Sequence, residues 1–166
     1  MLWRMVKMKG YILNVKLNDM EYEISRTLVV PDCLTFAELS YQLRKIFDLT
    51  GFNPAEFIFP GLNLPLNENA EIRYEDSQSF EITVNDYFNL FKKCTWRYWS
   101  KNLHFNIKIK KTNNAKEHSY VESYTGKYNP LDYRDVYDMD YLIHTGDVEE
   151  FTVFDIDDVN CRLMKM

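Results

Sequence analysis

Glycine and proline are scarce in this 166-residue chain, which has five of each. Their scarcity excludes long flexible linkers and low-complexity segments, and it leaves no glycine-rich loop to cradle a phosphate. The sequence patterns of the P-loop, the dinucleotide-binding turn and the serine-hydrolase elbow are absent. No apolar run approaches the roughly 18 residues of a membrane-spanning helix. We therefore expect one folded domain over residues 1–166 and no membrane partner.

Cysteine and histidine are few and scattered. Cys33, Cys94 and Cys161 are odd in number and form no C-x-x-C pair, which argues against a disulfide framework and against a zinc knuckle. Unpaired thiols are typical of a reducing compartment, and residues 1–10 lack the apolar run of a signal peptide, so a cytoplasmic location is expected. The histidines share no metal-ligand spacing, and the aspartate-rich run at 132–140 lacks the glycine and glutamate of a calcium loop. The sequence predicts neither a metal nor a cofactor.

Charge is plentiful but unevenly placed along the chain. Residues 87–116 hold eight bases and no acid, whereas residues 117–158 hold twelve acids against only Lys127 and Arg134. Either the two stretches neutralise one another within the fold, or the basic stretch offers a surface to an anionic partner. Neutralisation within the fold is the interpretation that the sequence favours, because the acids follow the bases directly.

The first half of the chain predicts a hairpin followed by a helix. Apolar residues alternate from Tyr11 to Leu17, and a second extended run from Glu21 to Val30 stops at Pro31, so the two runs are expected to pair. Thr35-Phe-Ala-Glu38 has the pattern of a capping box at a helix start. The helix should cross the hairpin as in a β-grasp-like core, and its expected buried residues are Leu39, Leu43 and Ile46.

The rest of the chain mixes strands and helices without regular βαβ alternation, which favours the α+β class. Further antiparallel strands and C-terminal helices are expected. The predicted elements are strands at 56–59 and 70–74, a helix at 86–92 capped by Asn85, two strands within 94–111, an irregular loop at 120–130, and helices at 131–142 and 157–166.

The second strand within 94–111 carries the candidate binding site. Its apolar residues alternate with His104, Asn106, Lys108 and Lys110, so one face of the strand is polar and basic. The candidate anion- or nucleic-acid-binding residues are Arg97, His104, Lys108 and Lys110. The neighbouring rings would form a stacking platform for single-stranded nucleic acid if they were exposed, but a core position is the favoured interpretation. These rings and the interleaved base are Trp96, Tyr98, Trp99, Phe105 and Lys101.

Five stretches resemble the family named after the third open reading frame of a root-inducing plasmid, the plasmid pRi ORF-three-like proteins. Six motifs of that family have counterparts in the same order along this chain. They are Y-x-L-x-V-x-L, W-R-R-x-x-V-P, T-L-x-x-L-H, H-L-H-E-F, Y-D-F-G-D-x-W-x-H and F-D-x-x-x-V-N. The resemblance implies an α+β fold and a family of unassigned function, often found near mobile elements. The counterparts are Tyr11–Leu17 with Arg26–Pro31, Thr35–Leu39, Glu56-Phe57, Trp96–His104 and Phe154–Asn160.

The departures from these motifs point away from catalysis. Arg97 and Ser100 stand where the family has two aspartates, Asn53 and Ala55 replace its paired histidines, and no cysteine lies in 122–135. We therefore expect a non-catalytic interaction module whose partner is protein or nucleic acid. The alternative is an enzyme with an unfamiliar site, which requires three side chains to converge in a pocket. Those side chains are His104, Glu56 and Arg26.

Overall fold

A computed structural model describes residues 8–49, 55–59, 71–73, 82–98 and 103–166 of the chain. Within these ranges strands and helices are mixed, and the predicted α+β class is confirmed. The elements are β1 (Met8–Leu17), β2 (Ser25–Pro31), α1 (Phe36–Ile46), β3 (Ala55–Ile58), β4 (Glu71–Arg73), α2 (Val84–Phe88), β5 (Lys93–Tyr98), β6 (Leu103–Ala115), β7 (Tyr120–Thr125), α3 (Val136–Thr145) and α4 (Ile156–Met164).

The described strands form one sheet in the order β4-β3-β5-β6-β1-β2-β7, and each neighbouring pair is antiparallel. The predicted N-terminal hairpin is confirmed, because β1 and β2 pair in register with Leu13 opposite Leu28. The long strand β6 lies on the other side of β1 and joins the hairpin to β5. The hairpin therefore lies inside the sheet, with strands on both sides of it.

The two faces of the sheet differ in what covers them. One face, called the core face, carries Leu13, Trp96 and Phe105, each with no exposed surface. Helix α1 packs there: the Trp96 indole donates a hydrogen bond to the Ser40 hydroxyl at 3.2 Å, and the rings of Phe47 and Phe105 lie 4.5 Å apart. The opposite side of the same strands is called the outer face. The sheet is therefore amphipathic, as the alternation predicts.

Helix α1 begins as the sequence predicts. The Thr35 hydroxyl accepts the Glu38 N–H at 3.1 Å, and the Glu38 carboxylate accepts the Thr35 N–H at 3.1 Å, so the capping box is complete. The predicted buried positions are confirmed, since Leu39, Leu43 and Ile46 have no exposed surface. Each such side chain contributes about 1.5–3 kcal/mol of burial, which fixes the helix on the sheet.

Helix α2 differs from the prediction in its start and its cap. It begins at Val84, and its capping residue is Thr83, which forms a capping box with Asp86. Asn85 was the predicted cap, and that prediction is wrong because the Asn85 side chain is used elsewhere. Its Oδ1 atom accepts a hydrogen bond of 2.6 Å from the Tyr11 hydroxyl. The amide thus ties α2 to the sheet instead of capping it.

Strand β7 replaces the irregular loop predicted at 120–130. It is an edge strand, and Val121 alone in it is buried, so it lacks the clear alternation that the prediction relied on. Asn160 of α4 accepts the Val121 N–H at 2.7 Å and donates to the Val121 carbonyl at 2.9 Å. A side-chain amide thus occupies this part of the strand edge, which protects it from pairing with another chain.

Two C-terminal helices are present as predicted, but the first begins at Val136 rather than at residue 131 and ends at Thr145 rather than at residue 142. Helix α3 is capped by Asp135, whose side chain accepts the Asp138 N–H, and it ends at Gly146 with a φ of 82°. Helix α4 is capped by Asp155, whose side chain accepts the N–H groups of Asp157 and Asp158 at 3.1 Å. Gly146 adopts a left-handed backbone conformation, which glycine tolerates because it has no side chain, and the helix therefore ends there.

Candidate functional site

The outer face carries a group of exposed lysines on β5 and β6. Lys93 lies directly opposite Lys108 in the antiparallel pair, and Lys110 follows two residues later on the same side of β6. All three side chains are exposed. Among the described residues none of the three lies within ion-pair distance of a carboxylate. We call Lys93, Lys108 and Lys110 the basic outer face.

Arg97 and His104 lie beside this group but are less available. Arg97 faces Glu56 on one neighbouring strand and His104 on the other. Its guanidinium forms an ion pair with the Glu56 carboxylate, which is fully buried, and His104 is half-buried. Of the four predicted binding residues, the structure therefore leaves Lys108 and Lys110 open, whereas Arg97 is engaged. Sequence reasoning missed Lys93, which only the β5–β6 register places against Lys108.

The expected neutralisation of Lys108 and Lys110 by residues 117–158 is not seen among the described residues. The one strand of that acidic segment, β7, is three positions away from β6, or about 14 Å at the usual strand spacing. Helix α4 packs beside β7, with Val159 and Leu163 in the core. The acids of β7 and α4 are thus placed near the edge of the sheet at β7, away from the lysines of β5 and β6.

The stacking platform is contradicted for the rings that the structure describes. Trp96, Tyr98 and Phe105 have no exposed surface and point into the core face. Trp96 and Phe105 pack together at 5.2 Å between ring centroids, as core rings do. Trp99 and Lys101 lie outside the described residues, as do Asn53 and Ser100. The favoured interpretation, in which these rings are core, is correct for all three.

The three residues of the alternative enzyme site do not converge. Glu56 lies on the outer face of β3, and Arg26 lies on the core face of β2, four strands away. That separation is about 19 Å at the usual strand spacing, far beyond hydrogen-bond reach. His104 is on the same face as Glu56, with Arg97 between them. The pocket that this enzyme would need is therefore absent from these residues.

Arg26 is a buried cation whose contacts link separate parts of the fold. Its guanidinium donates to the carbonyl oxygens of Ser25, Thr125, Gly126 and Tyr128 at 2.9 to 3.2 Å. The ring of Phe154 lies 4.1 Å from its central carbon. Burial lowers the pKa of Arg26 to about 10, so the group keeps its proton at neutral pH. Arg26 thus joins β2, the chain after β7 and the segment leading into α4.

No group of three or more histidine, cysteine, aspartate or glutamate side chains suits a metal ion in the part of the chain that is described. Two aspartates of the 132–140 run accept backbone N–H groups instead: Asp135 caps α3, and Asp140 accepts the N–H groups of Glu21 and Tyr22 between β1 and β2. Burial raises the pKa of the Cys94 thiol, which makes it a poor ligand and nucleophile. That the protein is metal-free stays a prediction, which elemental analysis of protein purified without chelator would check.

None of the described helices has the length and apolar character to cross a membrane.

The sequence profile of the plasmid pRiA4b ORF-3-like protein family matches residues 9–138. The chain belongs to this family. Four of the five resembling stretches lie inside the matched range, and Phe154–Asn160 lies beyond it. In that last stretch Phe154 packs on Arg26, Asp155 caps α4, Val159 is buried and Asn160 binds the edge of β7. Each of these roles is structural.

A solved structure shares this fold. The chain resembles the crystal structure of the protein of unknown function MM3350 from Methanosarcina mazei Go1, with a TM-score of 0.66 and 18% sequence identity. The likeness covers 86% of this chain and 83% of that one, and at this identity it shows the fold alone. The sequence matches no curated protein. Neither the family nor this neighbour has an assigned function, so neither gives support for catalysis.

Proposed function

We propose that this protein is a non-catalytic binding module that takes the phosphate backbone of a nucleic acid on its basic outer face. The observation that carries the proposal is the direct opposition of Lys93 and Lys108, with Lys110 beside them and no carboxylate close by among the described residues. Like charges directly opposite in a sheet are destabilising. A bound polyanion would remove that repulsion.

The geometry suits binding to the backbone rather than base recognition. Lys108 and Lys110 are two residues apart on one strand, so their Cα atoms are separated by about 7 Å along it. Lysine binds phosphate as a point charge without demanding a fixed orientation. The described rings of this region are buried in the core, which leaves no stacking surface on these residues. We therefore expect binding with little base preference and a strong dependence on salt.

The test is a salt titration of binding to a fluorescent single-stranded oligonucleotide, with a duplex of the same length in parallel. The triple variant Lys93→Gln/Lys108→Gln/Lys110→Gln should lose binding at low salt. The slope of log affinity against log salt should fall by about 0.7 for each phosphate of a single strand that the variant no longer neutralises. Lys127→Gln, which removes a lysine from the far end of the sheet, is the matched control and should bind as wild type does.

Three outcomes would contradict the proposal. Wild-type protein that fails to bind either oligonucleotide at low salt would remove nucleic acid as the partner. Binding that the triple variant retains would place the interface elsewhere. Self-association that disappears in the triple variant would instead assign the basic outer face to the acidic surface of a second copy.

We also infer a cytoplasmic location and a single domain over residues 1–166. Cys33, Cys94 and Cys161 are all free thiols, as is usual in a reducing compartment. Nearly all of the buried apolar residues of the described elements belong to one core cluster, which supports one cooperative unit.

A further inference from the structure

A polar cleft of about 420 Å³ lies at one end of the sheet, beside α2. It forms because two neighbouring strands change character there. The core-facing residues of β1 pass from Leu13 and Tyr11 to Lys9, and those of β6 pass from Ile109 to Lys111. Both lysines line the cleft. The sheet therefore extends past its apolar core and ends in two cations on the core side.

The two lysines are close enough to serve one anion. Lys111 is directly opposite Tyr11 in the β1–β6 pair, and Lys9 is two residues from Tyr11 on the same side of β1. Such diagonal neighbours are about 7–8 Å apart, a distance that two flexible ammonium groups can bridge through a shared anion. Asp32 is the acid that lines the cleft, so its charged lining is net positive by one unit, with two lysines against one aspartate.

Amide groups line the wall formed by α2 and the residue that follows it. Asn85 and Asn89 face the cleft, and the Tyr11 hydroxyl donates to Asn85 Oδ1 at 2.6 Å. Burial raises the pKa of Tyr11, and Asp32 adds to the rise, so the hydroxyl keeps its proton for this bond. With its oxygen engaged, the Asn85 amide has its NH₂ group left as a donor.

The backbone is held tightly at the same place. A side chain at Gly10 would put its Cβ atom 2.1 Å from the Val30 carbonyl oxygen, so β1 can approach β2 this closely only with glycine. The floor of the cleft is thus fixed by the sheet itself, and its shape does not depend on a loop.

A second cavity of about 480 Å³ adjoins the cleft and shares Asn89 and Lys111 with it. Its lining is partly apolar, from Leu90, Phe91 and Ile109. Leu90 is 67% exposed, which is high for a leucine beside a core and leaves it available to a ligand. Both volumes are in the range of small-molecule sites, and an apolar cavity with a few convergent polar groups is their usual form.

We propose that the two cavities form one site for a small phosphorylated ligand with an apolar group. The phosphate lies between Lys9 and Lys111, within reach of the Asn85 and Asn89 amides. The apolar group lies against Leu90, Phe91 and Ile109. The site shares Lys110 with the basic outer face, because Lys110 lines the second cavity. Lys93 and Lys108 line neither cavity, and Lys108 is on the side of the sheet opposite Lys9 and Lys111.

Phenyl phosphate is the probe, since it joins one phosphate to one apolar ring. Titration calorimetry should show saturable binding to the wild type, with inorganic phosphate at least tenfold weaker. Lys9→Gln and Lys111→Gln should each lower the affinity for phenyl phosphate at least tenfold. Lys108→Gln is the matched control on the same strand, and it should leave the affinity unchanged while reducing oligonucleotide binding. Leu90→Ser should lower the affinity for phenyl phosphate until it is close to the affinity for inorganic phosphate.

The results separate this site from the proposed function. The site would be overturned, whatever the oligonucleotide result, if phenyl phosphate showed no saturable binding to the wild type. It would also be overturned if Lys9→Gln and Lys111→Gln bound phenyl phosphate with the wild-type affinity. Loss of phenyl phosphate binding in Lys108→Gln would also overturn it, because the phosphate would then be on the outer face. The substituted residues are exposed, and a thermal unfolding curve for each variant verifies that it is folded.

Discussion

Arg26 on the core face and Lys108 on the outer face are cations of the same antiparallel sheet, but their surroundings are opposite. Arg26 has no exposed surface, and its guanidinium donates to four backbone carbonyl oxygens. Lys108 is exposed and faces another lysine. A buried charge is tolerated only when its hydrogen bonds are met, whereas an exposed one is solvated by water.

The difference distinguishes a cation that stabilises the fold from cations that are available to a binding partner. Arg26 has no exposed surface and its two terminal nitrogens bind backbone carbonyl oxygens, so a substrate in solvent does not reach it, although its type and its place in a motif-like stretch made it a candidate. The basic outer face contributes nothing to the core and is open to a partner. The following changes test this division, from the largest expected effect to the smallest.

Arg26→Met should lower the free energy of unfolding by at least about 3 kcal/mol, because several buried acceptors lose their donor at about 1 kcal/mol or more each. Arg26→Lys should recover only part of the loss, since an ammonium cannot reproduce the planar fork. Denaturant unfolding measures both. The control is Arg162→Met on the surface of α4, which should change stability by less than about 0.5 kcal/mol. An Arg26→Met protein as stable as wild type would show that the buried cation is dispensable.

Arg97→Met should cost about 2 kcal/mol, because it leaves the buried Glu56 carboxylate without its ion pair. The expected loss is below that of a fully buried pair, since the Arg97 side chain is 29% exposed. In a double-mutant cycle, Glu56→Gln should lessen the cost of Arg97→Met. Oligonucleotide binding by Arg97→Met should stay within a factor of three of wild type. A large loss of binding would mean that Arg97 belongs to the interface after all.

Thr35→Ala should lower the free energy of unfolding by about 1 kcal/mol, because the N-cap of α1 is removed. The change weakens the helical layer without touching either set of cations. Thr35→Ser keeps the hydroxyl and is the matched control. Thermal or denaturant unfolding makes the measurement, and equal loss in both variants would show that the methyl group matters rather than the cap.

Lys108→Gln should raise stability by about 0.3 kcal/mol, because it removes the repulsion across the Lys93–Lys108 pair. The same change should weaken oligonucleotide binding, so stability and binding should move in opposite directions. Lys110→Gln is the comparison, since Lys110 faces Ile12 on β1 and has no lysine opposite it on that strand. A destabilised Lys108→Gln protein would indicate that Lys108 is already neutralised within the fold.

Local patterns in the sequence predicted the elements that local physics controls. Alternation from Tyr11 to Leu17 and the capping box at Thr35 predicted the hairpin and α1, because hydrophobic period and end-capping act over a few residues. The edge strand β7 was not predicted, because Val121 is its one buried residue and its sequence shows no clear alternation of apolar and polar residues. The choice of Thr83 over Asn85 as the cap of α2 depended on Tyr11, which is 74 residues from Asn85.

By itself, then, the sequence determined the α+β class, the N-terminal hairpin, the capped helix α1, and a basic face on the strand that carries Lys108 and Lys110. Strand order and register were decided only by the tertiary structure, because pairing joins residues that no local pattern connects. That pairing set Lys93 against Lys108, put Arg97 against Glu56, and carried the acids of β7 and α4 away from the lysines. It also buried Arg26 on the side opposite His104, and it brought Lys9 and Lys111 together at the end of the sheet.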